Sequence, residues 1–186
     1  VQVSVALGTA AAVALIVFFC ALREQLIELE RTVAANVAAV AGLAVVALLT
    51  LNEVLYGVLS WQLASADPRA VQPVFLLTIV SPVVQGPLLA PTMAATAVAA
   101  RPGSGMPPWY RISSVVAAGI AAVAGMSFAQ HGYFYPDVQQ QVVGQLFVLW
   151  VLVTAVVCTI GRVRSAAIAQ GSREEVPTSF AHTPTP

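Results

Sequence analysis

Long apolar runs alternate with short polar joints along this chain, and the arginines gather at every second joint. Five runs reach the roughly 20 apolar residues that let a helix cross the hydrocarbon core of a bilayer. They are Val3–Leu22, about Val33–Trp61, about Val74–Ala100, Ile112–Ala129 and about Val142–Ile160. Five crossings put the two ends on opposite sides. With the N-terminus outside, Arg23, Arg31, Arg101, Arg111, Arg162, Arg164 and Arg173 all stay inside, and only Arg69 lies outside. Cytoplasmic joints retain arginine because moving it across lipid is costly, so this orientation is the expected one. The fold expected is an all-α integral membrane protein, a bundle of five transmembrane helices with the N-terminus outside and the C-terminus cytoplasmic.

Composition agrees with that reading. The chain is 59% hydrophobic and 9% charged, with a mean hydropathy of +0.86. A soluble domain carries about a quarter charged residues, enough to cover its surface. Residues 1–165 form the expected transmembrane domain. Residues 166–186 form a polar cytoplasmic tail, of which Gly171–Pro186 reads as mobile. Formal net charge is zero, which gives no reason to expect nucleic acid as a partner. Val3–Leu22 lacks a basic n-region and a small-x-small cleavage site, so it reads as a spanning helix rather than a signal peptide. Cys20 and Cys158 form no CxxC or zinc spacing and read as small buried apolar residues. The Ala/Val/Arg bias without lysine points to a GC-rich prokaryotic genome, hence to a prokaryotic cytoplasmic membrane.

Between Arg23 and Arg31 the chain contains no glycine or proline, and Leu22, Leu26, Leu29 and Val33 recur at helical spacing. The first helix is expected to continue past Leu22 and turn near Glu30–Thr32, or to form an interfacial elbow there. Tyr56 and Trp61 at the outer end of the second span, Tyr133, Phe134 and Tyr135 in the outer loop, and Trp109 and Tyr110 at the inner start of the fourth read as a headgroup-level belt.

Lipid is as apolar as leucine, so helices associate by close backbone approach at small residues. The fourth span offers Ser113, Ala117, Ala121, Gly125 and Ala129, and is expected near the centre of the bundle. The first offers Ser4, Gly8 and Ala12, and the second Ala34, Ala38 and Gly42. Leu146, Phe147, Leu149, Trp150 and Leu152 of the fifth are expected to face lipid or a partner. In the third span Pro82, Gly86, Pro87 and Pro91 predict a kinked or broken helix, since each proline removes a donor and crowds a carbonyl. Freed carbonyls in lipid need partners or a wet cavity.

Glu53 is the acid inside an expected span, about 19 residues above Ala34 and so roughly 28 Å along the helix. An intramembrane carboxylate is paired, protonated or facing water, and is a functional candidate by default. By depth it falls near Asn52, Tyr56, His131, Tyr133, Tyr135, Asp137 and Gln145, with Arg69 as its expected ion-pair partner. Gln85, near mid-span, is placed to bond freed backbone or line the same cavity. A lipid headgroup, a quinone or a cation fits such a pocket, and no other cofactor is expected.

The absences bear on function. Without lysine no retinal Schiff base can form. The histidines, His131 and His182, lie outside the spans, which argues against a bis-histidine haem. No His/Cys/acid cluster suggests a metal, no Gly-rich loop a nucleotide, and no buried base activates a serine. The chain is therefore expected to be non-catalytic: an accessory or scaffolding subunit of a larger membrane complex, partnered by the bilayer and by other subunits or copies of itself. The alternative is a component of an oligomeric transporter or channel lined by the third helix and Glu53, and a weaker one is a membrane-embedded sensor module.

Overall fold

The computed structural model describes residues 2–61, 67–101, 104, 106–124 and 136–174. Five helices follow in order: α1 (Gln2–Glu28), α2 (Thr32–Trp61), α3 (Pro68–Ala99), α4 (Pro108–Ala124) and α5 (Pro136–Glu174). Four of them are long and apolar enough to cross a membrane, over Ala6–Glu28, Thr32–Trp61, Val71–Ala99 and Gln141–Val163. The described part of α4 is 17 residues, at the lower edge of spanning length. Among the described residues no strand occurs, and the architecture is compatible with a multi-pass membrane protein.

Helix ends follow local chemistry. Proline stands first in α3, α4 and α5 (Pro68, Pro108 and Pro136), where its missing amide costs nothing and its φ suits a helix. Asp67 caps α3 by accepting the Arg69 amide at 2.8 Å. Between α1 and α2, Glu30 takes a positive φ of 58°. The Arg31 amide reaches back to the Leu26 carbonyl at 3.0 Å and the Glu30 amide to that of Ile27 at 2.8 Å. That is a Schellman ending built on a glutamate where glycine is usual. The first helix thus continues past Leu22 and turns at Glu30, one of the two forms expected, with Leu22 and Leu26 buried in the bundle.

One apolar core draws on all five helices, including Phe19 and Leu26 of α1, Ala38 and Val45 of α2, Leu89 and Met93 of α3, Ala117 and Ala121 of α4, and Phe147 and Trp150 of α5. Its hub is α3, packed against α2, α4 and α5, while α1 lies on α2 and, less extensively, on α5. The central place expected for the fourth helix therefore belongs to the third. Small residues set the closest approaches. A Cβ added at Gly42 would lie 2.5 Å from the Phe19 ring, and one at Gly86 would lie 2.7 Å from the Ala121 carbonyl oxygen.

Several expectations need correction. α3 runs unbroken from Pro68 to Ala99 through Pro82, Gly86, Pro87 and Pro91, and Pro87 and Pro91 lie on its exposed face. Gly86 serves contact with α4 rather than a break. On α4, Ala117 and Ala121 are buried as expected but Ser113 is exposed. The buried face is Tyr110, Ser114, Ala117, Ala118, Ala121 and Ala124, and Gly125 lies outside the described residues. On α5, Phe147 and Trp150 turn into the core, and Leu149 and Leu152 face out. Cys20 is exposed and Cys158 half-buried. Helix α5 continues to Glu174, so residues 166–174 are helical, and the remainder of the expected tail lies outside the described residues.

Candidate functional site

The cluster expected around Glu53 is only partly assembled. Asn52 is buried, and its Oδ1 accepts a hydrogen bond from Ser81 Oγ at 3.0 Å, which ties α2 to α3. One helical turn further along α3, Gln85 Nε2 is buried without a hydrogen-bond partner among the described residues. Glu53, the next residue after Asn52, points elsewhere and lies over Gly8 of α1, where an added Cβ would come within 2.8 Å of its carboxyl carbon. Arg69 is exposed beside its Asp67 cap, and the expected Glu53–Arg69 ion pair does not form among the described residues. Tyr56 and Gln145 occupy exposed faces. His131, Tyr133 and Tyr135 lie outside the described residues.

A second polar cluster was not expected. Tyr110, read from its sequence as an interfacial partner of Trp109, is fully buried, and its phenol meets Thr154 Oγ1 of α5 at 2.8 Å. Trp150 Nε1 donates to Ser114 Oγ at 3.3 Å, a second link between α5 and α4. Thr96 of α3 flanks the same phenol. The neighbouring Trp109 is 54% exposed, so the two adjacent rings divide between the core and the surface, edge to face at 6.1 Å.

The clue lay in the spacing along α3. Thr78, Ser81, Gln85, Thr92 and Thr96 recur every three or four residues, with one gap filled by Leu89, so they share one helix face. Thr78, Thr92 and Thr96 are fully buried. Thr92 Oγ1 donates across to the Ala38 carbonyl of α2 at 3.4 Å, whereas Thr78 and Thr96 donate to Phe75 and Met93 within α3. The hub helix thus presents hydroxyls and amides to its neighbours along most of its length. In an apolar setting such groups must be satisfied within the protein.

The ends of α1, α3 and the α5 span and the starts of α2 and α4 meet at one end of the bundle, where Arg23, Arg31, Arg101, Arg111 and Arg162 lie. There Arg23 Nε donates to Asn36 Oδ1 at 3.2 Å, and Gln25 Nε2 donates to the Cys158 carbonyl at 3.3 Å. Among the described residues no group of three His, Cys, Asp or Glu side chains converges on a common point. The arrangement can fasten helices and present cationic groups. Its one open valence in the interior among the described residues is Gln85.

No family model, curated relative or solved structure matches the chain.

Proposed function

We propose that the chain is a non-catalytic integral membrane protein, an accessory or scaffolding subunit of a larger complex in a prokaryotic cytoplasmic membrane. It threads the bilayer five times, with its arginine-bearing end cytoplasmic and its N-terminus outside. The gathering of seven of the eight arginines at alternate joints supports the orientation, since cytoplasmic joints retain arginine. The observation that carries the functional reading is how the buried polar groups are used. Tyr110 with Thr154, Trp150 with Ser114, Asn52 with Ser81 and Thr92 with the Ala38 carbonyl each join one helix to another. Side chains spent on one another in this way hold the bundle rigid rather than serve a substrate. The outward apolar faces, such as Val148, Leu149, Leu152 and Val156 of α5, remain for lipid or a partner helix. Purification in mild detergent followed by native mass measurement tests the reading. Foreign subunits at a fixed ratio are expected, and a pure homo-oligomer overturns the accessory role.

Gln85 favours a second reading, a transporter or channel component in oligomeric form. Its unpartnered amide, deep in α3 beside Gly86, is the sort of group a permeant or bound polar species would satisfy. On that reading Gln85→Leu abolishes a ligand-induced rise in melting temperature. An unchanged rise overturns it.

A further inference from the structure

Between the α3–α4 joint and the C-terminal half of the α5 span runs an open groove of about 1200 Å³. This is larger than the roughly 300–1,000 Å³ pockets that take drug-sized ligands. Its two halves differ in chemistry. Leu152, Val156 and Ile160 of α5 form an apolar wall, and Arg101, Trp109 and Arg111 form the rim. The three wall residues repeat every four positions over eight residues of helix, a strip roughly 12 Å long. No acidic side chain lines the groove among the described residues. Both arginines are exposed, and neither guanidinium has an ion-pair or hydrogen-bond partner among the described residues.

We propose that this groove binds an anionic phospholipid. The lipid phosphate sits between Arg101 and Arg111, its glycerol region lies against Trp109, and one acyl chain follows Leu152, Val156 and Ile160. The warrant is complementarity of two kinds in one place. Guanidinium groups form forked, charge-assisted bonds to phosphate oxygens, and an apolar strip leading away from them suits a hydrocarbon tail. An indole at the junction prefers the level at which headgroup meets chain. A soluble anion would use the rim but leave the wall bare, and a neutral lipid would use the wall but leave two cations unmatched. The inference rests on the reading that the arginine-bearing end lies at a membrane surface, but it does not require a partner subunit.

The test is lipid retention by the full chain in mild detergent, read by native mass spectrometry with phosphatidylglycerol or phosphatidylcholine added at equal concentration. Wild type is expected to retain phosphatidylglycerol and to release phosphatidylcholine. Each arginine near an anionic lipid is worth roughly fivefold in affinity, so Arg101→Gln with Arg111→Gln is expected to weaken retention by about 25-fold. Arg162→Gln, at the same end but outside this groove, is expected to leave retention unchanged. Val156→Trp fills the wall without altering charge and is expected to displace the lipid as well, which keeps the proposal falsifiable if the double variant folds poorly. Equal losses in Arg162→Gln and in the double variant overturn the proposal in favour of a diffuse positive surface. Equal retention of both lipids, full retention by Val156→Trp, or displacement of the lipid by inorganic phosphate alone also overturns it. Any foreign subunit appears in the same spectrum as a separate mass, so the accessory role stands or falls independently.

Discussion

The phenol oxygen of Tyr110 and the hydroxyl oxygen of Thr154 meet 2.8 Å apart inside the bundle, one on α4 and the other on α5. Removing one partner leaves the other buried and unsatisfied, which costs about 1–3 kcal/mol in a protein interior. In membrane bundles the measured coupling between such groups averages about 0.6 kcal/mol and reaches about 1.7. Tyr110→Phe is therefore expected to lower unfolding stability by about 1 kcal/mol. A double-mutant cycle with Thr154→Val is expected to show a coupling of about 0.5–1.5 kcal/mol. Denaturant titration in mixed micelles measures it, and additivity of the two single variants would mean the two hydroxyls do not interact.

Contact between α3 and α4 hinges on a missing side chain. Gly86→Ala would bring a Cβ within 2.7 Å of backbone at Ala121, and backbone cannot rotate aside. The helices must separate, and overpacking of this kind costs about 1–3 kcal/mol. Gly119→Ala on α4 meets nothing within 4 Å and is expected to be neutral or to stabilise by up to about 1 kcal/mol through helix propensity. Thermal unfolding of the two variants separates these outcomes, and equal melting temperatures would contradict the close approach.

Gln85 offers a test with opposite signs for the two functional readings. If the bundle is purely structural, Gln85→Leu removes a buried orphan amide and raises stability by about 1–2 kcal/mol. If Gln85 belongs to a permeation or binding site, the same variant is more stable but loses transport or ligand response. Melting temperature and a liposome flux assay on one preparation distinguish the readings, and a destabilised variant would show that the amide has a partner.

Glu30 holds a left-handed conformation that costs an L-residue roughly 1–2 kcal/mol. Replacement by glycine removes that cost but adds freedom to the unfolded chain. Glu30→Gly is therefore expected to leave stability unchanged or raise it by up to about 1 kcal/mol. Glu30→Val is expected to lower it by about 1–2 kcal/mol, because branching at Cβ worsens the clash. Chemical unfolding of the pair checks the order, and a valine variant as stable as the glycine one would contradict the left-handed turn.

The five helices were legible as long apolar runs parted by polar joints, though α5 runs from Pro136 to Glu174, beyond the expected span at both ends. The turn at Glu30 was legible because Leu22, Leu26 and Leu29 carry the helical repeat through a charged stretch. Side-chain direction was less legible. Tyr110 follows Trp109, and only the rotation of α4 against α5 decides that one ring enters the core and the other leaves it. The prolines did not break α3, and Pro87 and Pro91 sit on its exposed face. Glu53 stood out in the sequence as an acid within an apolar run, but its neighbour is Gly8 on α1, a contact that depends on how α1 lies across α2. Placement of Gly86 against Ala121 is a fact of packing that sequence spacing alone could not assign.

The most direct test of the central claim is the side of the membrane on which the arginine-rich joints lie. Fusing green fluorescent protein or alkaline phosphatase after Arg69, Arg101 and Arg164 reports that side in living cells. Fluorescence without phosphatase activity is predicted after Arg101 and Arg164, and phosphatase activity without fluorescence after Arg69. Phosphatase activity after Arg101 or Arg164, or fluorescence after Arg69, would contradict both the five crossings and the cytoplasmic placement of the basic end.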